Sequence, residues 1–184
     1  MKIEKTILKD VLIITPNKYE DERGFFKETY HEGRYSENGI PGNNLKFVQD
    51  NYSFSTKGVI RGMHFQLSKP QGKLVSVLSG EVFDVVVDIN PKSQSFKKWI
   101  GIYLSSENGK QLWIPPGYAH GFMVTSNHAD FLYKCTELFD PNLDIGFNFN
   151  DPDIAIEWPL NDFIASKKDK SLPYLSNVLS KIDF

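Results

Sequence analysis

Short apolar runs of strand length, separated by turn residues, recur along the whole chain. Segments 11–15, 25–30, 46–51, 59–66 and 74–78 are rich in β-branched and aromatic side chains, as are 82–89, 98–104, 111–114, 120–126 and 130–138. Apolar residues at helical spacing are confined to 31–38 and 176–182, which predict short peripheral helices. Ser79-Gly80 lies between two apolar runs and predicts a tight hairpin. Pro115-Pro116-Gly117, Asp151-Pro152 and Trp158-Pro159 mark loops. Closely spaced strands of this kind predict an all-β protein, an antiparallel sandwich or barrel closed as a jelly roll. No repeat, linker or low-complexity tract interrupts the pattern, so residues 1–184 read as a single domain.

Composition narrows the partners. Aromatic residues make up 14% of the chain, which favours strands and stacking surfaces over a helical bundle. The net charge of −2 provides no basic field for nucleic acid or an anionic membrane. Any phosphorylated ligand must therefore be held by a few placed arginines. Cys135 is the only cysteine, so no intramolecular disulfide forms and a reducing cytoplasm is expected. The N-terminal MKIEKTILKD carries charge where a signal peptide needs an apolar core, and no apolar stretch is long enough to span a membrane.

The densest chemistry lies in 58–80. Gly58, five residues, then His64 resembles the start of the first cupin motif, but Gln66 stands where the second histidine is usual. Lys73, separated from Gly80 by six residues, replaces the glutamate. The second cupin motif is recognisable in Pro115-Pro116-Gly117-Tyr118-Ala119-His120. The resemblance implies a small cupin-type β-barrel with His64, Lys73 and His120 at its mouth. Catalytic zinc or iron sites usually take three protein ligands. Two histidines and an ammonium do not supply them, because a charged lysine has no lone pair and repels a cation. No metal and no other cofactor is expected. Lys73 instead takes over part of a metal's work, neutralising a developing oxyanion.

A closer resemblance runs through Asp21-Glu22-Arg23-Gly24-Phe25-Phe26, Val48-Gln49-Asp50-Asn51, 59–66, Pro70-Gln71-Gly72-Lys73 and 80–85. It continues through 112–122, Asn150-Asp151-Pro152-Asp153, Ile156-Glu157-Trp158-Pro159 and Ser166-Lys167-Lys168-Asp169. Taken in order, these blocks resemble the dTDP-4-dehydrorhamnose 3,5-epimerase family over most of the chain. The family implies a dTDP-linked 4-keto-6-deoxyhexose substrate and inversion at C3 and C5. It also implies His64 as base, Asp169 orienting it, Tyr133 as acid on the opposite face, and Lys73 with His120 stabilising the O4 enolate. Arg23 and Arg61 match its substrate-binding arginines, and Glu28, Gln49, Asn51, Asp144 and Lys168 match further contact positions. Phe139 stands where many relatives stack a tyrosine on thymine. Relatives generally form dimers by exchanging an N-terminal strand, which implies that Arg23, Phe26 and Glu28 reach the neighbouring subunit's site.

The chemistry fits these residue types. A ketone at C4 acidifies the hydrogens on C3 and C5, and an imidazole, with an intrinsic pKa of about 6.5, suits the base near neutrality. A neighbouring cation would make the Tyr133 phenol a better acid. His31 and His128 match no motif and read as surface residues. Tyr52, Met63, Leu138, Phe149 and Asp144 depart from residues frequent in the family and leave room for a shifted nucleotide or sugar preference. Four rival readings remain: an epimerase inverting C3 alone or using another nucleotide sugar, a keto-isomerising cupin, a non-catalytic sugar-nucleotide-binding cupin, and a metal-dependent oxygenase.

Overall fold

A computed structural model describes residues 1–42 and 44–182. Two long strands organise it: β7, Lys73–Asp88, and β10, Tyr118–Cys135, pair antiparallel along almost their whole length. Each bends midway, and its two halves belong to different layers. The first half of β7 pairs β9 (Gln111–Ile114), which leads through β2 (Leu12–Thr15) to β1 (Lys2–Lys5). The second half of β10 completes this layer by pairing β5 (Gln49–Thr56). In the other layer, the second half of β7 pairs β8 (Trp99–Ser105). There the first half of β10 pairs β6 (Ile60–Gln66), and β6 pairs β11 (Asp144–Gly146). Two layers sharing bent strands form the expected jelly roll.

The predicted hairpin at Ser79-Gly80 is not one. Both residues lie inside β7, and the chain continues in the same direction through a bulge. Gly80 has φ +76°, and a Cβ there would sit 1.9 Å from the His128 carbonyl oxygen. The glycine marks a close approach of two strands and a kink. Likewise 120–126 and 130–138 are halves of one strand. Segment 31–38 contains α1 (Glu32–Ser36), capped by His31, whose side chain accepts from the Arg34 amide. Segment 176–182 forms parts of two 3₁₀ turns, Leu175–Asn177 and Leu179–Lys181, and α2 (Lys167–Lys170) was not anticipated. As expected, His31 and His128 are exposed. No helix among the described residues is long and apolar enough to cross a membrane.

Val75, Val77, Val86, Leu104, Leu112, Phe122 and Phe131 are buried in one cluster between the layers. At about 1.5–3 kcal/mol for each large apolar side chain, this cluster supplies a large share of the driving force. It fills one end of the barrel and leaves the other open. A separate hairpin, β3 (Lys18–Asp21) with β4 (Gly24–Lys27), forms its own two-stranded sheet. It holds Phe25 and Phe26 out to solvent, Phe26 at 67% exposure.

Candidate active site

The open end of the barrel is a cavity of about 410 Å³ lined by Arg61, His64, Lys73, His120, Tyr133, Lys168 and Asp169, with Asn51 and Ser53 from β5. Its floor is apolar: Phe122 and Phe131 stack with ring centroids 4.3 Å apart, and both belong to the core cluster. The cavity is therefore anchored on packed strands.

Arg61 and His64 share the cavity face although strand alternation sets residues three apart on opposite sides. A bulge corrects the phase. His64 pairs His120 and Arg61 pairs Phe122, so Gly62 and Met63 oppose Gly121 alone. Gly62, at φ +124°, approaches so closely that a Cβ would lie 2.6 Å from the Gly121 Cα.

His64 donates from Nε2 to Asp169 Oδ1 at 2.7 Å. Asp169 is only 4% exposed, although the lysines around it are in solvent. Ser166 is the N-cap of α2 and accepts from the Asp169 amide at 3.0 Å, which turns this one carboxylate inward. Burial opposes its ionisation, but the His64 hydrogen bond and charge, with Ser166 and Lys168, hold it below the usual carboxylate range. An ionised carboxylate on Nε2 fixes the neutral tautomer that leaves Nδ1 as the free basic nitrogen.

The second histidine has a partner that sequence reasoning missed. His120 Nε2 lies 3.0 Å from both oxygens of Asp84, which is completely buried. Burial raises the Asp84 pKa, opposed by His120 and by Lys73. A lone aspartate within the apolar run 82–87 was the available signal, since such a group needs a buried partner.

Lys73 opens β7, and its side chain makes no hydrogen bond or ion pair among the described residues. Enclosure by the barrel wall lowers its pKa, with Cys135, Asp144 and Asp84 opposing the shift. Its ammonium is thus held toward the cavity without a protein anion to satisfy it. Tyr133 is half-buried between Asn51 on β5 and Val75 on β7. Burial raises its pKa, and Arg61, the neighbouring cation, opposes that shift without reversing it. The phenol is protonated near neutrality but is not the acidified phenol anticipated.

The residues at the cupin ligand positions do not fit a metal. His64 and His120 each have one nitrogen left free, which makes two donors where three are usual. Gln66 spends both ends of its amide on backbone groups, and Lys73 contributes a cation. Among the described residues no three His, Cys, Asp or Glu side chains converge.

Six other predicted residues do not line this cavity. Asp144 is nearby, ion-paired to Lys168 at 2.6 Å. Gln49 Oε1 accepts from the Phe139 amide at 2.8 Å, placing Phe139 at the rim with its ring 52% exposed. Arg23 and Phe26 are on the hairpin arm, Arg23 paired to Asp21, and Glu28 pairs with Arg34.

Comparison with known proteins agrees with this geometry. The family model for dTDP-4-dehydrorhamnose 3,5-epimerase matches residues 5–177. The enzyme of that name from Methanothermobacter thermautotrophicus is 49% identical over 91% of this chain and 90% of its own. Its Salmonella typhimurium counterpart is 47% identical over 97% and 98%. A crystal structure of the Legionella pneumophila dTDP-6-deoxy-D-glucose-3,5-epimerase with dTDP-4-keto-L-rhamnose superposes with a TM-score of 0.91 at 49% identity, covering 95% of this chain and 93% of that one. Sequence, barrel and cavity together establish that the chain belongs to the dTDP-4-dehydrorhamnose 3,5-epimerase family.

Proposed function

We propose that the chain epimerises C3 and C5 of dTDP-4-keto-6-deoxy-D-glucose, a step toward dTDP-L-rhamnose. The observation that carries this reading is one cavity holding an imidazole–carboxylate dyad, an unpaired ammonium and a phenol. His64 Nδ1 takes the hydrogen from the carbon beside the ketone. The electron pair moves onto O4, where Lys73 and the His120–Asp84 pair meet the negative charge. Tyr133 returns a proton from the opposite face; solvent then reprotonates the phenolate and takes the proton from the His64 imidazolium, which readies the pair for the second carbon. Asp169 keeps the His64 tautomer and stabilises the imidazolium. Arg61, donating from Nε to Ser55 at 3.1 Å, keeps its terminal nitrogens for the diphosphate.

The same reading makes the chain a cytoplasmic homodimer. Arg23, Phe26 and Glu28 stand apart from their own cavity on or beside an exposed apolar arm, as residues serving a neighbouring subunit would.

Turnover in D2O tests the chemistry. The expected result is deuterium at both C3 and C5, and dTDP-L-rhamnose when a following reductase is added. Label at C3 alone would convert the reading to a single epimerase, and no label at all would leave only a binding protein.

A further inference from the structure

In metal-binding cupins the position two residues after the first histidine supplies a ligand. Here Gln66 occupies it, 3% exposed, two residues along β6 from His64 and on the same face. Its amide is fully committed. Nε2 donates to the Lys69 carbonyl at 2.7 Å and to the Leu138 carbonyl at 3.2 Å, while Oε1 accepts from the Asp140 amide at 2.9 Å. Two of these three bonds bracket Phe139. The loop receives a further clamp from Gln49, and Leu138 and Phe139 are themselves 58% and 52% exposed. A rim loop with two apolar side chains in solvent has little packing to fix its position, so its backbone bonds must do so.

We infer that Gln66 is a positioning residue for nucleotide binding: it ties the Phe139 loop to the strand that carries the catalytic base, so the stacked base and the reacting carbons are placed from one rigid element. This rests on the reading of Phe139 as the thymine platform. Misplacing the platform weakens nucleotide binding, while the dyad, ammonium and phenol inside the barrel are unaffected. A glutamine is required in place of any polar residue of similar size, because two carbonyls need donors and one amide needs an acceptor. Glutamate at this position would set its carboxylate against both carbonyls, and methionine would leave all three groups unpaired.

The test combines dTDP binding by calorimetry, steady-state kinetics, and amide hydrogen exchange in Gln66→Met, Gln66→Glu, Phe139→Ala and the double variant Gln66→Met/Phe139→Ala. Gln66→Met is expected to raise the dTDP Kd and the KM by about tenfold, because a loop released from three part-buried bonds can move to solvate them and so shifts its platform rather than incurring their full cost. The kcat at saturating substrate should remain within about twofold of wild type. Exchange should quicken at Phe139 and Asp140 but not at Val85 or Leu112 in the core. Gln66→Glu should behave similarly. In the Phe139→Ala background Gln66→Met should add nothing to Kd, since the two act through one contact. If Phe139→Ala weakens dTDP and Gln66→Met does not, the positioning role is wrong while the platform stands. If Phe139→Ala leaves dTDP binding unchanged, the platform reading fails and the inference falls with it. A loss of kcat as large as the rise in KM would make Gln66 merely structural.

Discussion

Replacing Lys73 by methionine should make the protein more stable and nearly inactive. Lys73 is partly buried in the barrel wall where it lines the cavity, and its side chain makes no ion pair or hydrogen bond among the described residues. Removing a charge from water costs several kcal/mol, and at this position no paired carboxylate offsets it. Methionine has nearly the same length and volume and no such cost, so a gain in unfolding free energy is expected, with about 1–4 kcal/mol, seen when fully buried ion pairs give way to apolar residues, as its upper range. Because burial lowers the folded-state pKa, the unfolded chain binds the proton more tightly. Wild-type stability therefore rises with pH between the folded value and the unfolded value of about 10.4. The advantage of Lys73→Met is greatest near neutrality and shrinks as pH rises through the folded pKa. Turnover should fall about 10²–10³-fold, as when one oxyanion donor is removed. Urea unfolding at pH 7 and pH 10, with deuterium incorporation by NMR, reads both effects. A variant less stable than wild type at pH 7 would show that the ammonium makes contacts which hold the fold. Undiminished exchange would show that O4 is stabilised by something else.

Asp169→Asn should lower the exchange rate about 10–150-fold, equivalent to a charge-assisted hydrogen bond of about 1.5–3 kcal/mol, while calorimetric dTDP binding is unchanged; an undiminished rate refutes the dyad. The lowered Asp169 pKa makes its stabilising contribution fully present above the unfolded value of about 3.9 and lost as pH falls through the folded one. Urea midpoints of wild type and Asp169→Asn should therefore converge only below about pH 4. Tyr133→Phe should retain part of the solvent exchange but lose completed inversion, measured as product per label incorporated; equal loss of both would make Tyr133 structural. Arg23→Ala and His64→Ala, each nearly inactive, should regain up to about a quarter of wild-type activity when mixed, because half of the dimers then contain one intact shared site. No recovery after subunit exchange would place Arg23 in its own chain's site.

What the sequence revealed depended on whether a residue's role was fixed by local register. His64, Lys73 and His120 lie in motifs whose strand positions determine their direction, and all three line the cavity. Asp169 was legible through its resemblance, and Ser166 explains its burial: the cap turns one acid inward from a run of exposed lysines. Asp84 lies in the matched block 80–85 but was given no role there, although its position in an apolar strand implied a partner. Gly80 was read as a turn because a glycine between apolar runs is usually one. Only the approach of His128, 48 residues further along, shows that the strand bends there instead. Gln66 was noticed as a missing ligand, while two of its three partners came from a loop some 70 residues away. Long-range contacts of this kind leave no local trace.

The exchange of a metal for an ammonium explains why the remaining charges are arranged as they are. A divalent ion carries enough charge to polarise a ketone even in partial contact with water, whereas a single ammonium is effective only where water is excluded. Enclosure makes the Lys73 charge strong toward O4 and costly to the fold. A carboxylate beside it would remove the cost and with it the catalytic field. The structure keeps acids close enough to favour the charged lysine but commits each elsewhere: Asp84 to His120 and Asp144 to Lys168. In the proposed mechanism Lys73 is left as the group whose electrostatic need is met by the enolate rather than by the protein. The barrel can carry that deficit because the apolar cluster beneath the cavity is complete without it.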